Sequence, residues 1–273
     1  MILVGKPVAD KILAEVKEEV EKLGFSPGLA VVRVGEDPAS KVYVGTKLKR
    51  AKEVGIKGVE YHLKEEISEE ELIELVHKLN NDPEIHGMIV QLPLPKHINA
   101  EKVLERIDPE KDVDGLHPES LGRLVAGEPT FVPATPQGVM ELLKFYEIDP
   151  NGAESVVVGR SNMVGKPMAA LLLNDNSTVE ICHSRTKDLG AHTKRAEILI
   201  VAVGKPHLIS EEMVRDGAAV IDVGINRVEG KIVGDVDTAA VDKKARVSPV
   251  PGGVGKLTVA CLMKNVLKAA EKH

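Results

Sequence analysis

The sequence predicts an α/β fold of two domains, the second of Rossmann type with a mostly parallel sheet. Three observations carry that prediction. Short apolar runs alternate with amphipathic helical stripes along the whole chain, an order that implies parallel strands covered on both faces by helices. A stretch rich in Pro, Gly and Asp, residues 93 to 135, interrupts the alternation, and an irregular segment of that length in a compact chain is functional or a linker. Beyond it, a strand ending in glycine leads into a polar turn and a helix, and a second alternating series follows.

The elements follow in order. Val8, Ile12, Leu13, Val16, Val20 and Leu23 form a helical stripe that stops at Gly24. Leu29 to Val34 is a buried strand, residues 39 to 54 a helix, and Val59 to Leu63 a strand. Ser68 with Glu71 makes a capping box for the next helix. Met88 to Leu92 is a buried strand halted by Pro93 and Pro95. The irregular stretch holds one short helix, near 99 to 106. Thr135 as N-cap and Pro136 as first helical residue open a helix to about Tyr146. Strands at 155–159, 178–183, 197–203 and 218–223 then alternate with helices at 163–174, 187–195 and 210–216. Asn226 to Val233 reads as a hairpin around Glu229-Gly230, and a helix after Gly255 ends the chain. The domain boundary falls near 136 to 140.

Composition narrows the function classes. The 273 residues are 43% hydrophobic, enough for one large core or two medium ones. The net charge of −6 argues against a broad nucleic-acid surface, while leaving room for small basic pockets. Aromatic residues make up 2% with no Trp, so no stacking platform for single strands is expected. Cys182 and Cys261 are far apart and read as free thiols in a reducing compartment. No metal site is expected, since the nine histidines form no HExxH or His-Cys cluster. No apolar run approaches about 18 residues, and Met1 to Lys6 lacks a signal-peptide shape. A cytoplasmic chain with no membrane partner is the expectation.

Ser155-Val156-Val157-Val158-Gly159, then Arg160-Ser161-Asn162-Met163-Val164-Gly165-Lys166-Pro167, forms a strand, a glycine turn and a helix start. Such a turn suits phosphate, because a helix N-terminus offers free N–H groups and partial positive charge. The spacing G-x-S-x-x-x-G departs from the usual dinucleotide fingerprint. The next strand ends in Ile181-Cys182-His183-Ser184-Arg185, with no acid where an NAD site would place one. Arg160, Ser184 and Arg185 could instead enclose the extra phosphate of NADP, arginine being suited to phosphate by its planar fork of donors. Solvated surface arginines are the alternative.

In the first half, Ser40, Tyr43 and Lys47 fall at i, i+3 and i+7 and share a helix face. A Tyr and a Lys one turn apart suit proton transfer beside a bound ring, although a surface Lys beside a half-buried Tyr reads the same way. Gln91 ends a buried strand, where ligands gather in open α/β sheets. Asp112-Val113-Asp114-Gly115 lies in the irregular stretch, without the rest of a calcium loop. Pro249 to Gly255 is a rigid-then-flexible segment that could pack backbone against a flat ligand.

Taken in order, these segments resemble the bifunctional methylenetetrahydrofolate dehydrogenase/cyclohydrolase family. Val34 to Ser40 with Tyr43 and Lys47, Gln91 to Pro95, Asp112 to Leu116, Pro133 to Pro136 and Gly159 to Pro167 carry the likeness. His183 to Thr186, Ile221 to Asn226, Gly234 to Asp237 and Pro251 to Gly255 complete it. The resemblance implies two α/β domains with a cleft between them: a folate-binding catalytic domain of residues 1–137, joined by a terminal helix 258–273, and an NADP-binding domain of residues 138–257. It implies a homodimer. It implies oxidation of 5,10-methylenetetrahydrofolate with NADP and hydrolysis of the methenyl product to 10-formyltetrahydrofolate, which supplies purine synthesis.

It also implies roles for residues. Lys47 would be the catalytic lysine, Gln91 its orienting partner, Tyr43 the neighbour of the folate ring and Asp114 the pterin anchor. Ser40, Leu92, Pro251, Gly252 and Gly253 would join Tyr43, Gln91 and Asp114 around the substrate. Gly159, Arg160, Ser161, Val164, Gly165, Ser184, Arg185, Val203, Gly204, Gly224 and Ile225 would contact the cofactor. Lys256-Leu257, Leu116 and Ser120 depart from the common Pro-Met, Phe and Asn. A dehydrogenase of this architecture without hydrolase activity, and a non-catalytic dinucleotide sensor, are the rival readings.

Overall fold

In the computed structural model of the chain, residues 1–272 are described. The elements run α1 (Lys6–Leu23), β1 (Gly28–Val34), α2 (Pro38–Glu53), β2 (Lys57–Leu63), α3 (Glu69–Asn80), β3 (Gly87–Val90), α4 (Ala100–Leu104), α5 (Pro118–Val125) and α6 (Ala134–Phe145). They continue with β4 (Glu154–Val158), α7 (Gly165–Asn174), β5 (Thr178–Cys182), α8 (Leu189–Thr193), β6 (Ile198–Val201) and β7 (Ala219–Asp222). The hairpin β8 (Asn226–Val228) and β9 (Lys231–Val233), then α9 (Thr238–Val241), β10 (Arg246–Val247) and α10 (Val254–Ala270) complete the chain. No described helix is long and apolar enough to cross a membrane.

The chain divides into two compact units. The first holds Lys11–Ala134 and the chain from Val259 onward; the second holds Met1–Asp10 and Thr135–Thr258. The first ten residues therefore join the second unit, although sequence order had placed them with residues 1–137. The cause is local pairing. Leu3 N–H donates to the Val247 carbonyl at 2.8 Å, and the N-terminal ammonium reaches Asp242 at 2.9 Å. Gly5 packs so closely on Gly253 that a Cβ there would lie 2.1 Å from its carbonyl oxygen.

The first unit carries a parallel sheet of order β2-β1-β3. Every residue of the central strand β1 is buried, as an apolar run in a covered parallel strand requires. Ala30, Val32, Met88 and Val90 pack with Leu72, Val76 and Leu79 of α3 and with Val103 and Ile107. The Ser68–Glu71 capping box that starts α3 is present on both sides.

The second unit carries a five-stranded parallel sheet of order β10-β7-β6-β4-β5. Val156, Val158, Leu199, Val201, Val220 and Val247 belong to its core. The strand order reverses beside β4, and in such sheets ligands bind at the carboxyl ends of the strands next to that point. Glu229 and Gly230 turn the β8–β9 hairpin, both at positive φ (49° and 78°), which suits the twist of a two-residue hairpin loop.

Several sequence expectations shift. β3 stops at Val90, because Gln91 makes the last link to the Val32 carbonyl (2.8 Å) and Pro93 has no N–H to extend the ladder. α6 begins at Ala134, so Thr135 lies inside the first turn and shares a 2.9 Å hydrogen bond with Thr258. The helix expected at 210–216 is a single 3₁₀ turn, Glu211–Met213. α5, α9 and β10 were not foreseen. α5 starts from a His117 cap, whose Nδ1 accepts the Glu119 N–H at 3.0 Å, with Pro118 in the first turn.

Candidate active site

In the first unit, α2 is launched by Asp37, whose carboxylate accepts the Ser40 N–H at 2.7 Å. The backbone and side-chain hydrogen bonds of Ser40 hold that carboxyl below its ordinary range. Ser40 is buried, Tyr43 is 44% exposed, and Lys47 one turn later is half-buried. Lys47 Nζ donates to Gln91 Oε1 at 3.0 Å. Gln91 Nε2 donates to the Leu92 carbonyl at 2.7 Å, which points the amide oxygen at the lysine. A lysine on a helix and a glutamine just past a strand thus form one preset pair.

Asp114 stands on a separate loop, shaped by its neighbour. The Asp112 carboxylate is buried and accepts the N–H groups of Leu116 (3.2 Å) and His117 (2.9 Å) and the Ser120 hydroxyl (2.7 Å). Burial pushes the Asp112 carboxyl up to about 6, against those hydrogen bonds. Gly115 takes φ +69° with a Cβ position 2.7 Å from the Pro133 nitrogen, so only glycine fits. Asn265 of α10 donates to the Val113 and Val132 carbonyls at 2.8 and 2.9 Å. Asp114 itself is half-buried on this braced turn. Among the described residues no hydrogen bond ties Asp114 or Tyr43 to the Lys47–Gln91 pair. Asn265 escaped the sequence reading; its signal was the one amide on a last helix whose other polar side chains are Thr258 and three lysines.

The remaining substrate candidates are Leu92, half-buried beside Gln91, and the turn Pro251-Gly252-Gly253 of the second unit. Gly252 has φ +114°, and the Gly253 N–H closes the turn onto the Pro249 carbonyl at 2.8 Å.

In the second unit, a cavity of about 410 Å³ opens at the carboxyl ends of β4, β5 and β6. Gly159, Arg160, Ser184 and Val203 line it, joined by His183, Thr186, Leu189, Lys205 and Leu208. Ser161, Val164, Gly165, Arg185 and Gly204 lie outside the lining. Gly224 and Ile225 follow β7, the glycine buried and the isoleucine 49% exposed. Gly159 takes φ +137°, and its Cβ position falls 2.4 Å from the Ala202 carbonyl; that of Gly165 falls 2.3 Å from the Gly159 carbonyl. The two glycines let α7 and β6 close on the end of β4.

The start of α7 differs from the expected free anion site. Ser161 Oγ accepts the N–H groups of Val164 (3.1 Å) and Gly165 (3.4 Å), and the Ser161 carbonyl accepts that of Lys166 (3.0 Å). Pro167 has no N–H to offer. A serine four residues ahead of the first residue of α7 has taken N–H groups that a phosphate would use.

Two buried acids brace the turns that follow β6 and β7. Asp235 accepts the N–H groups of Val203, Gly204 and Lys205 at 2.7, 2.9 and 2.7 Å. Asp222 accepts those of Gly224, Asp235 and Val236 at 2.9, 3.0 and 2.9 Å. Burial raises the Asp222 carboxyl to about 6, opposed by those N–H donors. Elsewhere in the unit, Glu180, Cys182 and His192 bring ligand atoms within 4.8 Å of one another, a grouping no sequence spacing displays. Glu180 also pairs with Arg195 at 2.8 Å, and burial pushes the Cys182 thiol up.

The cavity suits a dinucleotide: a close-approach glycine, an apolar wall of Leu189, Val203 and Leu208, and the cations Arg160 and Lys205. Comparison with known proteins agrees. Residues 3–114 match the profile of the tetrahydrofolate dehydrogenase/cyclohydrolase catalytic domain, and residues 133–273 that of its NAD(P)-binding domain. A protein of Nautilia profundicola named bifunctional protein FolD is 56% identical over 99% of this chain and 97% of its own. The crystal structure of the bifunctional FolD enzyme from Campylobacter jejuni superposes with TM-score 0.98 at 49% identity, covering 100% of this chain and 99% of that one. That of Trypanosoma brucei, solved with NADP cofactor and inhibitor, gives 0.95 at 38% identity over 100% and 97% of the two chains.

Proposed function

The chain belongs to the tetrahydrofolate dehydrogenase/cyclohydrolase family, and from that premise we propose how its residues divide the work. It is a bifunctional, NADP-dependent methylenetetrahydrofolate dehydrogenase and methenyltetrahydrofolate cyclohydrolase of one-carbon metabolism. The first unit takes the folate and the second the cofactor.

Bound NADP supplies the acceptor for the hydride lost by the methylene carbon. The protein's own part is to hold the folate and to move protons. Lys47 shuttles the proton when water adds to the methenyl carbon, and the single observation that carries this is its 3.0 Å hydrogen bond to Gln91. Gln91, tied to its own main chain through Leu92, fixes where the ammonium stands, and placement before substrate arrives lowers the cost of reaching the reactive geometry. Tyr43, exposed on the same helix face, lies along the folate ring, with Ser40 and Leu92 beside it. Asp114 accepts paired N–H groups from the amino edge of the pterin, on a turn that Asp112 and Asn265 hold in place. Pro251, Gly252 and Gly253 present flat backbone to the substrate. Gly159, Arg160, Ser184 and Val203 contact the cofactor directly. Ser161, Val164, Gly165, Arg185, Gly204, Gly224 and Ile225 complete its surroundings. The product, 10-formyltetrahydrofolate, feeds purine synthesis, and the enzyme works as a cytoplasmic homodimer.

One spectrophotometric experiment tests the reading. Purified protein receives methylenetetrahydrofolate with NADP, then with NAD, while reduced cofactor and the methenyl chromophore are followed separately. The expected outcome is reduction of NADP in preference to NAD, with the methenyl species consumed faster than in buffer. Methenyl persistence at the uncatalysed rate would remove Lys47 from its role, and a strong NAD preference would remove Arg160 and Ser184 from theirs.

A further inference from the structure

The backbone at the cofactor cavity is unusual in what it keeps for itself. Two arrangements there could bind an anion with main-chain N–H groups: the start of α7, and the turn of three successive N–H groups after β6. Ser161 fills the first. Asp235 fills the second, with Val203, Gly204 and Lys205 N–H converging on its carboxylate. That carboxylate is held in turn. Asn226 Nδ2 donates to it at 2.9 Å, the Asp235 N–H is anchored on Asp222 at 3.0 Å, and a Cβ on Gly224 would lie 2.2 Å from its carboxyl carbon. An internal anion already occupies the turn after β6, so there the recognition of a phosphate falls to side-chain cations.

Two cations line the cavity, Arg160 after β4 and Lys205 after β6. Neither forms an ion pair among the described residues. Their positions along the sheet separate their tasks from that of the first turn. In a dinucleotide fold the pyrophosphate sits at the turn after the first strand, and the adenosine end spreads toward the neighbouring strands. Ser184 stands at the end of β5, where an acid would bind the ribose hydroxyl of NAD, and Lys205 approaches the same cavity from the other side of β4, beyond β6.

We infer that Lys205 is a specificity-determining residue for the cofactor: its ammonium, carried on the turn that Asp235 braces, takes the phosphate on the adenosine ribose together with Arg160 and Ser184. Asp235 is the positioning residue for that turn and does not touch the ligand. The inference rests on NADP as cofactor and is independent of the folate roles.

Calorimetric titration of the full-length protein tests it, with no turnover involved. NADP⁺, 2′,5′-ADP and 5′-AMP are titrated into the parent and Lys205→Gln, a change at an exposed position. Lys205→Gln should weaken NADP⁺ and 2′,5′-ADP about tenfold, the size of one charge-assisted contact, and leave 5′-AMP unchanged. An equal loss for all three would place Lys205 on the 5′-phosphate or the base and overturn the proposal. Unchanged affinity for 2′,5′-ADP would overturn it as well.

Discussion

In the first unit the cation at the site is already paired, Lys47 with Gln91 at 3.0 Å, whereas in the second unit Arg160 and Lys205 border a cavity with no ion pair among the described residues. On the roles proposed above, the difference follows the two tasks. A group that must move a proton gains from being placed before the substrate arrives. A group that must recognise a phosphate gains from leaving its charge for the ligand. Both units shape the loop that bears these residues with a buried carboxylate collecting backbone N–H groups, Asp112 in one and Asp235 with Asp222 in the other.

The largest effect that would break this contrast comes from removing the paired cation. Lys47→Met should lower hydrolysis of methenyltetrahydrofolate by about 10³-fold, within the range for losing a proton-transfer group, while hydride transfer to NADP stays measurable. Hydrolysis at the parent rate would mean that the Lys47–Gln91 pair is structural only.

Next in size is the brace of the second unit. A Cβ on Gly234 would stand 1.9 Å from Asp222 Oδ2, a clash with a carboxylate that three N–H groups hold. Gly234→Ala should cost about 3 kcal/mol, at the upper end of ordinary substitutions, read from denaturant unfolding. Gly204 has nothing within 4 Å of its Cβ position and φ +64°, so Gly204→Ala should cost only about 1 kcal/mol for the left-handed backbone. A loss at Gly234 no larger than that at Gly204 would show that the Asp222 carboxylate gives way to the added methyl.

A pH-dependent effect, smaller than that of Gly234→Ala, sharpens the comparison further. The Asp112 carboxyl is raised from 3.8 to about 6 by burial. Between those values the folded state keeps a proton that the unfolded chain has released. Stability from this group is fully present below about pH 4 and is lost as pH rises through about 6. Asp112→Asn lacks the titration, so the parent's advantage over this variant should shrink by on the order of 2 kcal/mol from pH 4 to pH 8. Denaturant midpoints at pH 4, 6 and 8 check this, and a constant difference would show that Asp112 does not titrate in this window.

Much of the fold was legible because it depends on neighbours in sequence. The Ser68–Glu71 cap, the Glu229-Gly230 turn and the β1 and β4 strands each need only a few adjacent residues. α5 was missed because it spans eight residues and starts from a histidine cap, a weak signal. At the site, the face shared by Ser40, Tyr43 and Lys47 could be read from helical spacing, but the direction of the Gln91 amide could not, since its partners lie 44 residues back and one residue on. Ser120 proves to be a donor to Asp112 at 2.7 Å.

The sequence by itself determined the two parallel α/β halves, the family, the glycine turn and the missing acid at Ser184, because periodicity, turn chemistry and residue order are local properties of a chain. Tertiary structure alone decided the rest. It assigned Met1–Asp10 to the second unit through the Leu3–Val247 pairing, brought Asn265 beneath Val113, and filled the α7 start and the 203–205 turn from within. Each of these depends on which donor reaches which acceptor first, and for most of them the partners lie tens to hundreds of residues apart, where spacing along the chain says nothing about distance in space.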